Sequence, residues 1–227
     1  MATKSALIVW GGWDGHQPKE VGELLGGELE KHGFAVEIAD TLDAYLDEVK
    51  LKTLDLIVPC WTMGTIKQEQ LRPLLAAVQS GVGLGGVHGG MCDSFRNETE
   101  YQFMTGGQWV AHPGNDGVAY TVDIRDPDHF ITQGSPEVIN VKSEQYYLHV
   151  DPAVRVLATT RFPVEGVGGA HLRNGAVDMP VVWTKYWGEG RVFYNALGHQ
   201  HNIVAQPDVL HLTVRGLLWA AHAEDLA

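Results

Sequence analysis

Imidazole is the side chain that changes charge nearest neutral pH, and the chain carries 11 histidines, several set beside glycine or at the end of an apolar run. The stretch GVGLGGVHGGMC, residues 81–92, delivers His88 from a glycine-threaded apolar segment into a turn of further glycines. Glycines on both sides let backbone and following helix approach closely, which is the elbow arrangement that displays a reactive side chain. Imidazole there can act as general acid or base, metal ligand or hydrogen-bond donor, and is a less usual covalent nucleophile than serine or cysteine. His199 and His201 close a late apolar run in NALGHQH, and His16 sits in GGWDGHQP beside Trp13 and Asp14. His112, in AHPG, precedes a proline that restricts it to extended backbone. Glu144 lies in KSEQYYLHV, where a solvated carboxylate at a strand end is the plainest reading. Tyr146 and Tyr147 follow it and point to opposite faces if extended, so one of them reaches a pocket.

The elements that would position these groups follow from apolar patterning. ALIVW (6–10) is a short continuous apolar run bounded by Gly11 and Gly12, as in a buried parallel strand. From Pro18, Val21, Leu24, Leu25 and Leu29 recur at helical spacing until Gly33 supplies a stop. FAVEIA (34–39) then reads as a strand, TLDAYLDEVK as one short amphipathic helix, LDLIVPCW (54–61) as a strand, EQLRPLLAAVQS as a helix and VGLGGV (82–87) as the fourth strand. This alternation predicts a three-layer α/β fold with right-handed crossovers. Beyond about residue 105, GVAYTVDIRD, EVINVK and AVRVLATT read as strands without intervening helices. MPVVWTKYW and RVFYNAL form a hairpin around GEG, and PDVLHLTVRGLLWAAH closes the chain as a helix. Ligands of such sheets bind outside the carboxyl ends of the parallel strands. Four strand ends would therefore bring His16, Trp61, His88 and His199 to one edge, with Trp13, Asp14 and His201 nearby.

Composition narrows the partners. Sixteen Lys and Arg stand against 28 Asp and Glu, a formal charge of −12, which leaves no basic footprint for nucleic acid or an anionic membrane. The length of 227 residues with 44% hydrophobic content suits one domain spanning 1–227. Cys60 and Cys92 make no disulfide framework or metal knuckle and read as buried small hydrophobes, so the expected compartment is the reducing cytoplasm. The first apolar run is too short for a signal peptide, and no window of about 20 residues is apolar enough to span a bilayer. His32, His211 and His222 fall at helix ends or within the last helix and read as structural. The glycines of GVGLGG lie within a strand rather than across a strand-to-helix turn, which argues against a dinucleotide site. Trp13, Trp61 and Trp109 could wall a sugar site or simply pack.

As a set, GGWDGHQP, GVGLGGVHGG, GGQWVAHP, RDPDHFITQGSP, SEQYYL, MPVVWTKYWGEGRVFYNALGH and RGLLWA resemble the ThuA-like trehalose-utilisation proteins over nearly the whole chain. That family shares the class I glutamine amidotransferase-like fold, so the resemblance implies a flavodoxin-like three-layer sandwich with a mainly parallel central sheet and a C-terminal hairpin plus helix. In the amidotransferase superfamily the elbow carries cysteine, activated by a histidine at the end of a later strand. This sequence keeps the later histidine at His199 and has His88 at the elbow, which argues against glutamine hydrolysis. The family is associated with catabolism of trehalose and related disaccharides, including routes through 3-keto sugars. The resemblance implies a small carbohydrate as substrate. It makes His88, His112, Glu144 and His199 the catalytic candidates, with Trp13, Asp14, His16, Trp61, Tyr146 and His201 as substrate-binding candidates. Three classes stay open: an enzyme acting on a disaccharide or keto-sugar through His/Glu acid–base chemistry, a non-catalytic sugar-binding or regulatory protein, and a cysteine hydrolase. Neutral imidazoles with a carboxylate suit a divalent ion such as Zn²⁺, but no HxxxH-type spacing fixes a ligand set, and homo-oligomer formation is likewise open.

Overall fold

The computed structural model describes residues 3–227. Its centre is a nine-stranded mixed sheet, and five strands carry the parallel part. These are β1 (Lys4–Gly12), β2 (Phe34–Ala39), β3 (Leu56–Thr62), β4 (Gly83–Val87) and, late in the chain, β11 (Gly190–Asn195). Their order, β2-β1-β3-β4-β11, is the flavodoxin-like arrangement, in which the chain winds to opposite sides from β1. Ala6 to Val9, Leu56 to Val58 and Leu84 are buried, as their unbroken apolar runs require of strands covered on both faces. The sheet continues antiparallel from β11 through β10 (Val177–Trp187), β9 (Arg155–Phe162), β6 (Val118–Ile124) and β7 (Val138–Ser143). A separate two-stranded sheet pairs β5 (Gly107–Ala111) with β8 (Tyr147–Val150).

Helices α1 (Pro18–Lys31) and α7 (Pro207–Ala220) cover one face. Glycines make that approach close: a Cβ on Gly83 would lie 2.3 Å from the Ala220 carbonyl oxygen, and one on Gly85 2.6 Å from Leu217. Gly86, on the opposite pleat, meets Met91 of α4 (Gly89–Cys92), which packs with α5 (Thr99–Thr105) and α3 (Gln68–Gln79) on the other face. The single helix expected over TLDAYLDEVK is instead a 3-10 turn, Leu42–Tyr45, and a separate short helix, α2 (Glu48–Leu51). The reason is two competing caps: Thr41 accepts from the Asp43 amide, and Asp47 accepts from the Lys50 amide and starts a new helix. Helix α5, before the point where the strand-rich reading begins, and the strands β5 and β8 have no counterpart among the elements read from the sequence. Strand β11 ends at Asn195, so His201 does not continue its face; it opens the short helix α6 (His201–Val204).

Candidate functional site

The carboxyl ends of β1, β3, β4 and β11 meet at one edge of the sheet. After β1 the chain turns against β3: the Trp13 amide donates to the Thr62 carbonyl at 3.1 Å, and a Cβ on Gly12 would lie 2.0 Å from that oxygen, so only glycine passes. This turn buries His16, with Nδ1 2.8 Å from Thr62 Oγ1. After β4 the backbone turns at His88 with φ 48° and ψ −136°, a conformation that costs a non-glycine residue on the order of 1–3 kcal/mol and clusters at functional sites. The surroundings hold it there. The His88 amide donates to the Asn195 carbonyl at 2.7 Å, and its own carbonyl accepts from the Cys92 amide and the Tyr194 hydroxyl at 3.1 Å each. After β11, the fully buried Asn195 donates to Thr213 Oγ1 and accepts from the Leu197 amide, shaping the loop that carries His199. Glu144 arrives from the antiparallel half, one residue beyond β7, with its carbonyl held by the Tyr120 hydroxyl at 2.8 Å.

All these histidines converge on one carboxylate. Glu144 Oε2 lies 3.1 Å from His88 Nε2, 3.3 Å from His199 Nδ1 and 3.9 Å from His16 Nε2. Its other oxygen, Oε1, lies 3.8 Å from Nε2 of His112, which stands just past β5 with about a quarter of its side chain exposed. Burial pushes the Glu144 carboxyl up, but the imidazoles of His16, His199 and His88 outweigh it and hold the group ionised, well below the usual carboxylate range. Burial lowers His88 to about 4 in spite of Glu144 and the Ala196 carbonyl, so this imidazole is neutral at pH 7. Burial also lowers His199, but there the Glu144 carboxylate prevails and the net displacement is upward. The Ala196 carbonyl oxygen, 2.7 Å from His88 Nδ1, is an acceptor only, so Nδ1 carries the proton and Nε2 faces Glu144 with its lone pair. His16, His88, Glu144 and His199 each offer one ligand atom within 4.8 Å of the others, a set with the chemistry of a divalent metal site.

Aromatic rings frame the cluster. Tyr146 stacks on His88 at 3.8 Å between centroids, Trp13 meets His16 edge-on at 4.8 Å, and Trp109 lies 5.4 Å from His112. The Arg96 guanidinium, gripped by both oxygens of Asp93, covers Trp109 at 4.4 Å. Tyr147 points away, against Phe162 and His171. Of the remaining sequence candidates, Trp61 packs beneath Gly11 and Gly64 at the end of β3, and Asp14 is exposed. His201 is half-buried, and its amide donates to Gln17 Oε1. It is not among the four clustered ligand residues. Cys60 and Cys92 are free and buried, and burial pushes the Cys60 thiol up to about 12 and the Cys92 thiol higher still, away from nucleophilic thiolate. His32 and His211 bond the carbonyls of Leu226 and Gln133. Thr62, Asn195, Tyr120 and Arg96 were missed from sequence, since a threonine or asparagine at a strand end carries no chemical signature. The DSFR run, holding an acid and a base three residues apart, is the one available signal for Arg96.

A family model described as ThuA, trehalose utilisation, matches residues 5–220. The chain belongs to the ThuA family. Two ThuA-like proteins of known structure superpose over most of their length. The one from Bacteroides uniformis has a TM-score of 0.76 at 18% identity, covering 96% of this chain and 91% of the other. The one from Parabacteroides merdae has a TM-score of 0.73 at 20% identity, covering 97% and 90%. A GMP synthase protein from Thermoplasma acidophilum, at 13% identity and TM-score 0.53, covers 99% of this chain and 97% of its own. The fold of this ThuA protein is therefore class I glutamine amidotransferase-like, with a histidine at the elbow. No curated protein sequence matches it. Among the described residues, no helix is long and apolar enough to cross a membrane.

Proposed function

We propose that this ThuA protein is a cytoplasmic enzyme of sugar catabolism that acts on a disaccharide or its keto derivative through His/Glu chemistry. The observation that carries the reading is the convergence of His16, His88 and His199 on the buried Glu144 carboxylate, at the strand edge where such folds bind ligands. The trehalose-utilisation description of the family supplies the substrate class. The sugar ring rests its apolar face on the aromatic frame of Trp13, Trp109 and Tyr146, while its oxygens face the imidazoles. The buried cluster polarises a sugar oxygen. His112, the partly exposed imidazole beside Glu144 Oε1, exchanges the proton with substrate as general acid or base. Glu144 stays ionised, orients His112 and supports the positive charge it takes up.

A cysteine hydrolase reading has less support, because the elbow residue is His88 and both thiols are buried with raised pKa values. The test is a substrate panel with purified protein: trehalose, related disaccharides, their 3-keto derivatives and glutamine. The reading expects turnover of at least one disaccharide or keto-disaccharide and none of glutamine. Saturable sugar binding without turnover would make the chain a sugar-binding module, and glutamine hydrolysis lost in Cys92→Ala would restore the amidotransferase chemistry.

A further inference from the structure

We infer that His16, His88, His199 and Glu144 form a binding site for one divalent first-row transition-metal ion of the Zn²⁺ class, with coordination left open for a substrate oxygen. The inference rests on the reading of this cluster as the working site and names the species at its centre. It begins with where the protons are. With Nδ1 of His88 donating to the Ala196 carbonyl, the Nε2 lone pair and the Glu144 Oε2 lone pairs face each other across 3.1 Å in a buried setting. Two acceptors at that distance need a proton or a metal ion between them, and the neighbouring imidazoles turned to the same oxygen favour the metal. His199 Nδ1 is a second unmet group: it is buried and lies 3.3 Å from Oε2, yet no hydrogen bond from the described residues satisfies it. Nδ1 of His16 is occupied by Thr62 Oγ1, which turns Nε2 toward the same oxygen at 3.9 Å.

Distances agree with an ion at this point. Bonds of about 2.0–2.2 Å to imidazole nitrogen and carboxylate oxygen put tetrahedral ligand atoms about 3.3–3.5 Å apart. The separations of 3.1, 3.3 and 3.9 Å from Oε2 bracket that value. The widest spread in the set, up to 4.8 Å, exceeds both a tetrahedral edge and the roughly 4.2 Å between opposite ligands of a five- or six-coordinate ion, so the ligands draw in by several tenths of an ångström to close on one ion. With one atom from each of four residues, a five- or six-coordinate ion keeps a position unfilled by protein. The set holds three nitrogens, one oxygen and no thiolate, which selects Zn²⁺, Co²⁺, Ni²⁺, Mn²⁺ or Fe²⁺ over soft Cu⁺. Outer partners are in place as metal ligands require: the Ala196 carbonyl and Thr62 hydroxyl fix two rings, and Tyr146 stacks on a third face of the cluster through His88. Because the ion occupies the lone pairs of the three buried histidines, proton exchange falls to His112.

The test uses the full chain, stripped with a chelator, dialysed and titrated with Zn²⁺ and separately with Co²⁺. The expected results are one ion per chain, a visible Co²⁺ spectrum weaker than that of a tetrahedral centre, and a rise in Tm of about 5–10 °C at hundredfold excess over Kd. His16→Ala, His199→Ala and Glu144→Gln, each checked by circular dichroism for native structure, should lose affinity by at least about tenfold to a hundredfold. His201→Ala should bind as the parent does. Failure of the parent to bind any of these ions more tightly than millimolar, or unchanged affinity in the folded site variants, would overturn the inference. Sugar turnover at full rate by the stripped protein would overturn the metal site while sustaining the sugar reading. Tight stoichiometric binding without turnover of any sugar would do the reverse.

Discussion

Replacing Gly89 with alanine adds one methyl group to the site and removes nothing that could act in it. Gly89 opens α4 outside the left-handed region, so alanine meets no backbone objection there, and helix propensity mildly favours it. The new Cβ would lie 2.4 Å from His16 Cε1, 2.6 Å from His16 Nδ1 and 3.1 Å from the Tyr146 hydroxyl. Ordinary contacts of this kind begin at 3.4 Å, so the imidazole must retreat by 3.4 − 2.4, about 1 Å. That movement breaks the 2.8 Å contact with Thr62 Oγ1 and carries Nε2 off its line to Glu144. A displacement of about 1 Å at a site commonly costs on the order of 10²-fold in rate, and overpacking of this size costs about 1–3 kcal/mol of stability. Steady-state turnover of the accepted sugar, with Tm beside it, reads both numbers. A folded Gly89→Ala protein that keeps parental kcat although its His16 ring is displaced would refute the claim that His16 belongs to the working cluster.

Further outcomes follow from other particulars. His88→Ala and His88→Gly should both be inactive, but the glycine variant should be more stable by about 1 kcal/mol or more, because alanine retains the cost of φ 48°, ψ −136°. Denaturant melts check this, and an alanine variant as stable as the glycine one would show that the elbow stores no strain. Cys60→Ala and Cys92→Ala should keep turnover while losing modest packing energy, and selective inactivation of folded Cys92→Ala would count against a histidine-centred site. Lys185 is buried and bonds Asp151 Oδ2 at 2.5 Å and the Phe103 carbonyl, tying β10 to α5. Lys185 holds the Asp151 carboxyl below the usual range, so the pair stabilises the fold above the unfolded aspartate value of about 3.9. That contribution fades as pH falls through the lower folded value. Asp151→Asn should cost about 1.5–3 kcal/mol at pH 7 and narrow its deficit in acid, and a deficit independent of pH would refute the pairing.

The parts of the fold legible in the sequence are those written in local periodicity. The runs at 6–10, 54–61 and 82–87 are apolar without alternation because both faces of β1, β3 and β4 are covered, and α1 begins at Pro18 and stops before Gly33, whose φ is +84°. The elbow at His88 was readable because glycines at 85, 86, 89 and 90 signal close approach on every side. Glu144 owes its place to tertiary structure: it follows an outer antiparallel strand and reaches a histidine 56 positions away. Only the motif resemblance singled it out. His16 read as a substrate contact, whereas the turn after β1 buries it against Thr62 and directs it to Glu144. Its partner Thr62, and Asn195 behind His199, act by holding other groups in place, and such positioning leaves no pattern along the chain. Asp14 and His201 sat near a histidine in sequence, but one faces solvent and the other starts a helix.

The central claim is that the carboxylate of Glu144 organises the imidazoles for chemistry on a sugar. The most direct measurement is kcat of Glu144→Gln on the disaccharide or keto-disaccharide that the parent accepts, together with its Kd for that sugar. The exchange keeps the shape of the side chain and removes the charge on which His16, His88, His112 and His199 converge. The account predicts a loss in kcat of about 10²–10⁴-fold with sugar binding retained to within about tenfold. A folded Glu144→Gln protein turning over its sugar at the parental rate would contradict it.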